Sequence, residues 1–170
     1  MSILIITIVR SGSSRLLQAV SKAYGKEGIL EPTTPGHIAA FDPSRDIVKI
    51  AVQTLSLSDH LELINKFDKT ILLDRKDRLA QAISYLNLHN HMKGKHDSKY
   101  VSKDFTQDQI DVALIRLNNT RKQLEDISKA LSLPIFYLED LIAFKDIGVG
   151  YDKSFFAPGL KLRQVNKQLF

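Results

Sequence analysis

The sequence contains no cysteine and no apolar run long enough to cross a membrane. Without cysteine there is no disulfide framework, no zinc ribbon and no thiolate nucleophile, which excludes a cysteine-based phosphatase. The apolar N-terminal stretch falls short of the roughly 20 residues of a membrane-spanning helix, and it lacks the basic region and cleavage site of a signal peptide. We therefore expect a cytoplasmic protein without a transmembrane segment.

What the chain does contain suits a single domain over residues 1–170. Its hydrophobic residues make up 44% of the composition, enough for a real core, and its formal net charge is +5. A basic protein favours anionic ligands, although charge alone equally permits contact with nucleic acid. Short apolar runs alternate with amphipathic segments, and this order predicts a three-layer α/β/α sandwich around a parallel sheet.

The patterns predict four strands and at least four helices. The strands are expected at Ile3–Val9, Ile47–Val52, Thr70–Leu73 and Pro134–Leu138. Helices are expected from Arg15 onward, over Ser56–Phe67, from Asp77 to about His91, and after a capping box formed by Thr106 and Gln109. The stretch Gly28–Pro32 is interpreted as the end of the first helical region.

The most informative segment is the junction between the first strand and the first helix. The strand leads directly into Arg10-Ser11-Gly12-Ser13-Ser14, and the helix follows with Arg15. A glycine permits a tight turn, backbone N–H groups and the helix dipole favour an anion, and arginine and hydroxyl groups add donors. The segment therefore predicts a phosphate or sulfate site.

This loop lacks the signature of a nucleoside triphosphatase P-loop. The pattern GxxxxGK[ST] needs a second glycine followed by lysine and a hydroxyl residue, and neither the second glycine nor the lysine is present. The lysine reaches the outer phosphates and the hydroxyl binds Mg²⁺. A P-loop small-molecule kinase using MgATP is therefore an alternative that the sequence disfavours.

The loop resembles the 5'-phosphosulfate loop of the sulfotransferases, which have a P-loop-like fold. A second element of that family, a strand ending in arginine and then a helix carrying serine, resembles FDKTILLDRKDRLAQAIS, where Arg75 follows the strand and Ser84 lies on the helix. The stretch RKDRLAQAIS is most similar to small bacterial carbohydrate and glycolipid sulfotransferases. The structural alternative is a solvated helix start at Arg75 and Arg78 and a packed Ser84.

The resemblance implies transfer of a sulfuryl group from 3'-phosphoadenosine 5'-phosphosulfate (PAPS) to a hydroxyl or amine of a carbohydrate, glycolipid or small molecule. By that resemblance Arg75 and Ser84 hold the 3'-phosphate. The residues implied for the 5'-phosphosulfate are Arg10, Ser11, Gly12, Ser13, Ser14 and Arg15. Two neighbouring parallel strands can supply two anion sites at one edge of a sheet, as a donor charged at both ends requires. No metal is implied.

Catalysis needs a cation for the leaving phosphate and a base for the acceptor proton. Arg10 is the predicted cation; arginine stabilises charge but does not readily donate its proton, unlike the lysine that the family often has there. Glu31 is the first candidate for the base, because related enzymes use a glutamate shortly after the first helix, and His37 is the competing candidate. Lys49 either points toward the site or lies at an edge or surface.

A non-catalytic module for nucleic acid or anionic glycan is the other alternative, although we expect no nucleic-acid partner. It would use the basic loop Lys93–Lys103 and the C-terminal basic residues Lys161, Arg163 and Lys167. The loop is otherwise interpreted as solvated or as a lid, and Tyr151 and Lys153 are candidates for covering the nucleotide. His89, His91 and His96 are not expected to bind metal, since residues two apart on a helix face different directions.

Overall fold

A five-stranded, all-parallel sheet organises the chain in the computed structural model, which describes residues 2–30, 47–92 and 105–142. The strand order is β2-β3-β1-β4-β5, so β1 lies at the centre between β3 and β4. The strands are β1 (Ile3–Thr7), β2 (Gly28–Leu30), β3 (Ile47–Ala51), β4 (Lys69–Asp74) and β5 (Ile135–Tyr137).

Five α-helices and one 3₁₀ turn (Val52–Thr54) accompany the sheet in the described segments. Gly12 and Gly25, both with positive φ, flank the first helix, and Ser56 caps the second by accepting a hydrogen bond from the N–H of Asp59. The helices are α1 (Ser13–Tyr24), α2 (Leu57–Ile64), α3 (Arg78–Met92), α4 (Gln107–Leu131) and α5 (Leu138–Ile142).

Apolar side chains fill both faces of the central strand, all five residues of which are buried. Ile3 and Ile5 belong to the cluster that α1 covers, whereas Leu4 and Ile6 belong to the cluster that includes residues of α2, α3 and α4. Because successive strand residues face opposite sides, this alternation requires helices on both faces. The arrangement is an α/β fold consistent with three layers.

The long fourth helix begins as the sequence predicts. The Thr106 hydroxyl accepts from the N–H of Gln109, whose side chain accepts from the N–H of Thr106, so the capping box is confirmed. The first helix starts at Ser13, two residues before the predicted Arg15. No helix in the three described segments combines the length and apolarity that crossing a membrane requires.

Two expectations about the sheet are wrong. Gly28–Leu30 does not end a helical region: Gly25 terminates α1, and these three residues form the edge strand β2, paired in parallel with β3. Lys49 does not lie at an edge or on the surface, because β3 has neighbours on both sides and its lysine is 5% exposed. A three-residue strand offers too short a pattern to be distinguished from a loop.

Candidate anion-binding site

The two predicted anion motifs lie at the same edge of the sheet. Strands β1 and β4 are parallel neighbours, with Thr7 opposite Leu73, and each runs into a junction with a helix. The helix after β1 packs on one face of the sheet and the helix after β4 on the other. A crevice forms outside the carboxyl ends of parallel strands where successive helices diverge in this way. The structure therefore brings the two junctions together at one edge of the sheet.

The backbone of the β1–α1 junction turns sharply. Arg10 has a φ of 65° and Gly12 a φ of 80°, both in the left-handed region, where arginine is uncommon and costs roughly 1–3 kcal/mol of strain. A Cβ atom at Gly12 would lie 2.6 Å from Cδ2 of Leu138. Gly12 occupies the N-cap position of α1 and makes no side-chain hydrogen bond there. The positive end of the helix dipole therefore faces the loop without a capping side chain.

The hydroxyl groups of this loop do not all face the same way. Ser11 is fully buried and its hydroxyl forms a hydrogen bond with that of Thr7 inside the fold. Ser13 is buried as well, whereas Ser14 and Arg10 are exposed. The position of Ser11 shows a role in holding the loop to its own strand.

Arg10 and Ser84, which the resemblance assigns to opposite ends of the donor, contact each other. The Nε atom of Arg10 donates to the hydroxyl oxygen of Ser84 over 2.8 Å, joining the first junction to the third helix. Among the residues that the structure describes, no carboxylate pairs with Arg10. Its side chain is exposed, and its charge is not neutralised by those neighbours.

Arg75 meets a carboxylate from the segment after β5. Its Nε atom lies 3.4 Å from Oε1 of Glu139. Glu139 also accepts hydrogen bonds from the backbone N–H groups of Lys76, at 2.8 Å, and Asp77, at 3.1 Å. Burial alone would raise the pKa of the Glu139 carboxyl, but these N–H groups and the Arg75 charge outweigh it and lower that pKa. Glu139 is therefore a carboxylate at neutral pH.

Two further contacts fix the start of the third helix. Asp77 caps it, accepting from the N–H of Ala80 over 2.9 Å, and the ammonium group of Lys76 pairs with the carboxylate of Asp140. The pairing helps to raise the pKa of Lys76, which is solvent-exposed. The first N–H groups at this junction are thus engaged by side chains, which leaves arginine as its main group for an external anion.

A buried polar network lies beneath both junctions. Arg121 of α4 donates to both carboxylate oxygens of Asp74, over 2.6 and 3.2 Å, and to Oε1 of Gln81 over 3.0 Å. The amide nitrogen of Gln81 donates over 3.0 Å to the carbonyl of Val9, immediately before Arg10. All three side chains are at most 5% exposed. The network therefore ties the end of β4 to the loop after β1.

Sequence reasoning missed the network and Glu139. Asp74 ends an apolar strand next to Arg75, and a carboxylate in that position is a signal of a buried polar partner. Its partner is separated by 47 residues in the chain, so the spacing could not identify Arg121. Glu139 directly follows a short strand, which places it at the same sheet edge, but nothing in the pattern predicts which junction it contacts.

Several predicted residues fall outside the part of the chain that the structure describes. They are Glu31, His37, His96, Tyr151, Lys153, Lys161, Arg163, Lys167 and the whole of the basic loop 93–103. For Arg15, His89 and His91 the description covers the backbone only. Within the described residues, no group of three metal-ligating side chains is found.

Comparison with protein-family models, with curated proteins and with solved structures found no match for this chain. The resemblance to sulfotransferases therefore depends on the two motifs and on their placement in the fold.

Proposed function

We propose that the protein is a PAPS-dependent sulfotransferase with a P-loop-like fold. One observation carries the proposal: the two motifs end neighbouring parallel strands, and Arg10 of one donates to Ser84 of the other. A nucleotide with a 5'-phosphosulfate and a 3'-phosphate requires two anion sites at a fixed separation. The two junctions, which end neighbouring strands, would supply both sites from rigid elements.

The chemistry assigned to the first junction is stabilisation of the leaving group. The sulfuryl group passes to an acceptor hydroxyl or amine while negative charge develops on the phosphate of the donor. Arg10 and the N–H groups at the start of α1 would hold that charge, together with Ser13, Ser14 and Arg15. Because the Arg10 side chain is solvent-exposed, it is accessible to the donor without displacement of a core residue.

The second junction is assigned to the 3'-phosphate through Arg75. Its planar guanidinium group can donate two parallel hydrogen bonds to a phosphate. Since Ser84 already accepts from Arg10, we assign it to the shared wall between the two anion sites, where its hydroxyl hydrogen can also serve the nucleotide. Glu31 and His37 stay predictions for the base, as do a cytoplasmic location and the lack of a nucleic-acid partner.

Calorimetric titration with 3',5'-adenosine bisphosphate, with MgATP in parallel, tests the proposal. We expect the bisphosphate to bind more tightly, without a requirement for metal. Preference for MgATP would instead support the kinase, and binding to neither would contradict both. Binding to nucleic acid or glycan with a steep salt dependence would favour the non-catalytic module.

The arginine of the second junction provides a sharper test. Arg75→Ala should weaken binding of the bisphosphate by about 1.5–3 kcal/mol, the range for a hydrogen bond to a charged group. Affinity for adenosine 5'-phosphate should change little, because that ligand lacks the 3'-phosphate. Arg116→Ala, which removes an exposed arginine on α4, is the matched control. Equal loss for both nucleotides would remove the 3'-phosphate assignment.

A further inference from the structure

We propose that Glu139 is a positioning residue that orients Arg75 for the second phosphate of the nucleotide. The inference rests on the proposed function, since it assigns the origin of selectivity for a 3'-phosphate to this carboxylate. Arg75 and Glu139 are 64 positions apart in the sequence, and only the fold joins them at 3.4 Å.

The carboxylate of Glu139 is itself held firmly. Its Oε2 accepts from the N–H of Lys76 over 2.8 Å, and its Oε1 accepts from the N–H of Asp77 over 3.1 Å. Both donors belong to the backbone between β4 and α3, so their positions are set by the sheet and not by rotatable side chains. The preceding residue, Leu138, lies against Gly12 of the other junction. A carboxylate anchored in this way is a fixed reference point for the guanidinium group.

Arg75 presents one particular edge to this carboxylate. Its Nε atom is buried and makes no hydrogen bond, although it lies within ion-pair distance of Oε1 of Glu139. The side chain as a whole is 25% exposed. Among the described residues, neither terminal nitrogen of Arg75 has a hydrogen-bond partner. Pairing at the Nε edge leaves the outer edge of the guanidinium group for two parallel bonds to a phosphate.

Fixing the arginine before the nucleotide arrives raises affinity, because less side-chain conformational entropy is lost on binding. A free arginine side chain samples many rotamers, and that freedom disappears when it grips a phosphate. Glu139 has already removed much of it in the unbound protein. The residue therefore contributes to recognition of the 3'-phosphate without touching the ligand.

The experiment compares two nucleotides in two isosteric variants. Affinities for 3',5'-adenosine bisphosphate and adenosine 5'-phosphate are measured by calorimetry for the unmodified protein, Glu139→Gln and Asp140→Asn. Glutamine keeps an acceptor oxygen for one of the two backbone N–H groups, places an NH2 group at the other, and removes the charge that attracts Arg75. The control removes the neighbouring carboxylate, which pairs with Lys76 and not with Arg75.

We expect Glu139→Gln to reduce the preference for the bisphosphate by about tenfold, since the charge that holds the guanidinium group in place before binding is then absent. Affinity for adenosine 5'-phosphate should not change, and Asp140→Asn should leave both affinities intact. In an Arg75→Ala background, Glu139→Gln should have no further effect on the preference. An unchanged preference, a higher affinity for the bisphosphate, or an equal loss for both nucleotides would overturn the positioning role.

A readout without ligand separates this inference from the proposed function. The Nε–H resonance of Arg75 should be detectable by NMR in the unmodified protein and should broaden or shift in Glu139→Gln. If that change occurs but the unmodified protein does not prefer the bisphosphate, the contact is real and the sulfotransferase proposal fails. If the resonance is the same in both proteins, the positioning role fails whatever the nucleotide binding shows.

Discussion

The two strand-to-helix junctions share a position at one edge of the sheet and differ in how their backbone N–H groups are engaged. At the β1–α1 junction the backbone adopts positive φ at Arg10 and Gly12, and the helix start has no side-chain cap. At the β4–α3 junction the carboxylates of Asp77 and Glu139 engage the first N–H groups. One junction can therefore offer its backbone to an anion, whereas the other has filled its backbone sites from within the chain.

This difference suggests how the two halves of a nucleotide would be recognised. The first junction suits a group that needs many short contacts as its charge changes, because backbone N–H groups are fixed and numerous. The second depends on the single guanidinium group of Arg75, so it suits discrimination between ligands with and without one phosphate. Similar placement in the sheet thus does not require similar chemistry.

The largest expected effect comes from the network that joins the junctions. Arg121→Leu would leave the Asp74 carboxylate, 1% exposed, without its partner, and should destabilise the fold by about 3–5 kcal/mol. Urea unfolding measures the loss. Arg116→Leu removes an exposed arginine five residues earlier on the same helix and should cost less than about 0.5 kcal/mol.

A double variant tests the cause of that loss. If the unpaired charge dominates, adding Asp74→Asn to Arg121→Leu should recover part of the stability, because a neutral amide is less costly to bury. A single variant as stable as the control would show that the network does not support the junctions.

The sequence predicts the polar junctions and most of the sheet because these depend on local order. Ile3–Thr7 is a strand from its composition, and Thr106 starts a helix through residues three apart. Contacts across the fold are different. The pairing of Asp74 with Arg121 and of Arg75 with Glu139 depends on which helix and strand become neighbours, and that is decided by packing of the whole chain.

The next largest effect is a difference in stability loss between alanine substitutions at the two positive-φ glycines that flank α1. Gly12→Ala should cost about 2–4 kcal/mol, since alanine is strained in the left-handed region and its Cβ would lie 2.6 Å from Leu138. Gly25→Ala has a similar φ of 62° but no atom within 4 Å, and should cost only about 1–2 kcal/mol.

Thermal unfolding of the two variants measures the difference between their losses of stability. Adding Leu138→Ala to Gly12→Ala should reduce this difference. Equal losses of stability at both glycines would mean that the contact between Leu138 and the first junction does not contribute to stability. A larger loss of stability at Gly12 would show that the segment after β5 supports both junctions.

Acid should change the second junction and leave the first as it is. The pKa of Glu139 is lowered below its ordinary value of 4.5, so the stability that this carboxylate contributes is present above that pH. It is lost as the pH falls through the lower pKa of the folded state. The amide NMR signals of Lys76 and Asp77 should therefore titrate below pH 4.5, whereas those of Ser13 and Ser14 should not.

Asp77 is a second carboxylate beside these amides, so Glu139→Gln provides the reference. The Lys76 signal should lose most of its pH dependence in that variant, because its N–H donates to Glu139. A Lys76 signal with the same pH dependence in the variant would show that Glu139 is not its source and would contradict the contrast between the junctions.

The smallest expected effect concerns the bond that bridges the junctions. Ser84→Ala removes the acceptor for Nε of Arg10, but the bond is solvent-exposed and water can replace it, so stability should fall by less than about 1 kcal/mol. Ser58→Ala, which removes an exposed hydroxyl on α2, is the matched control in urea unfolding. A loss above 2 kcal/mol at Ser84 would make the bridge a structural element. A small loss together with weaker binding of the bisphosphate would instead indicate that the bridge serves the ligand, since a bond that contributes little to the fold would then be aligning Arg10 in the crevice.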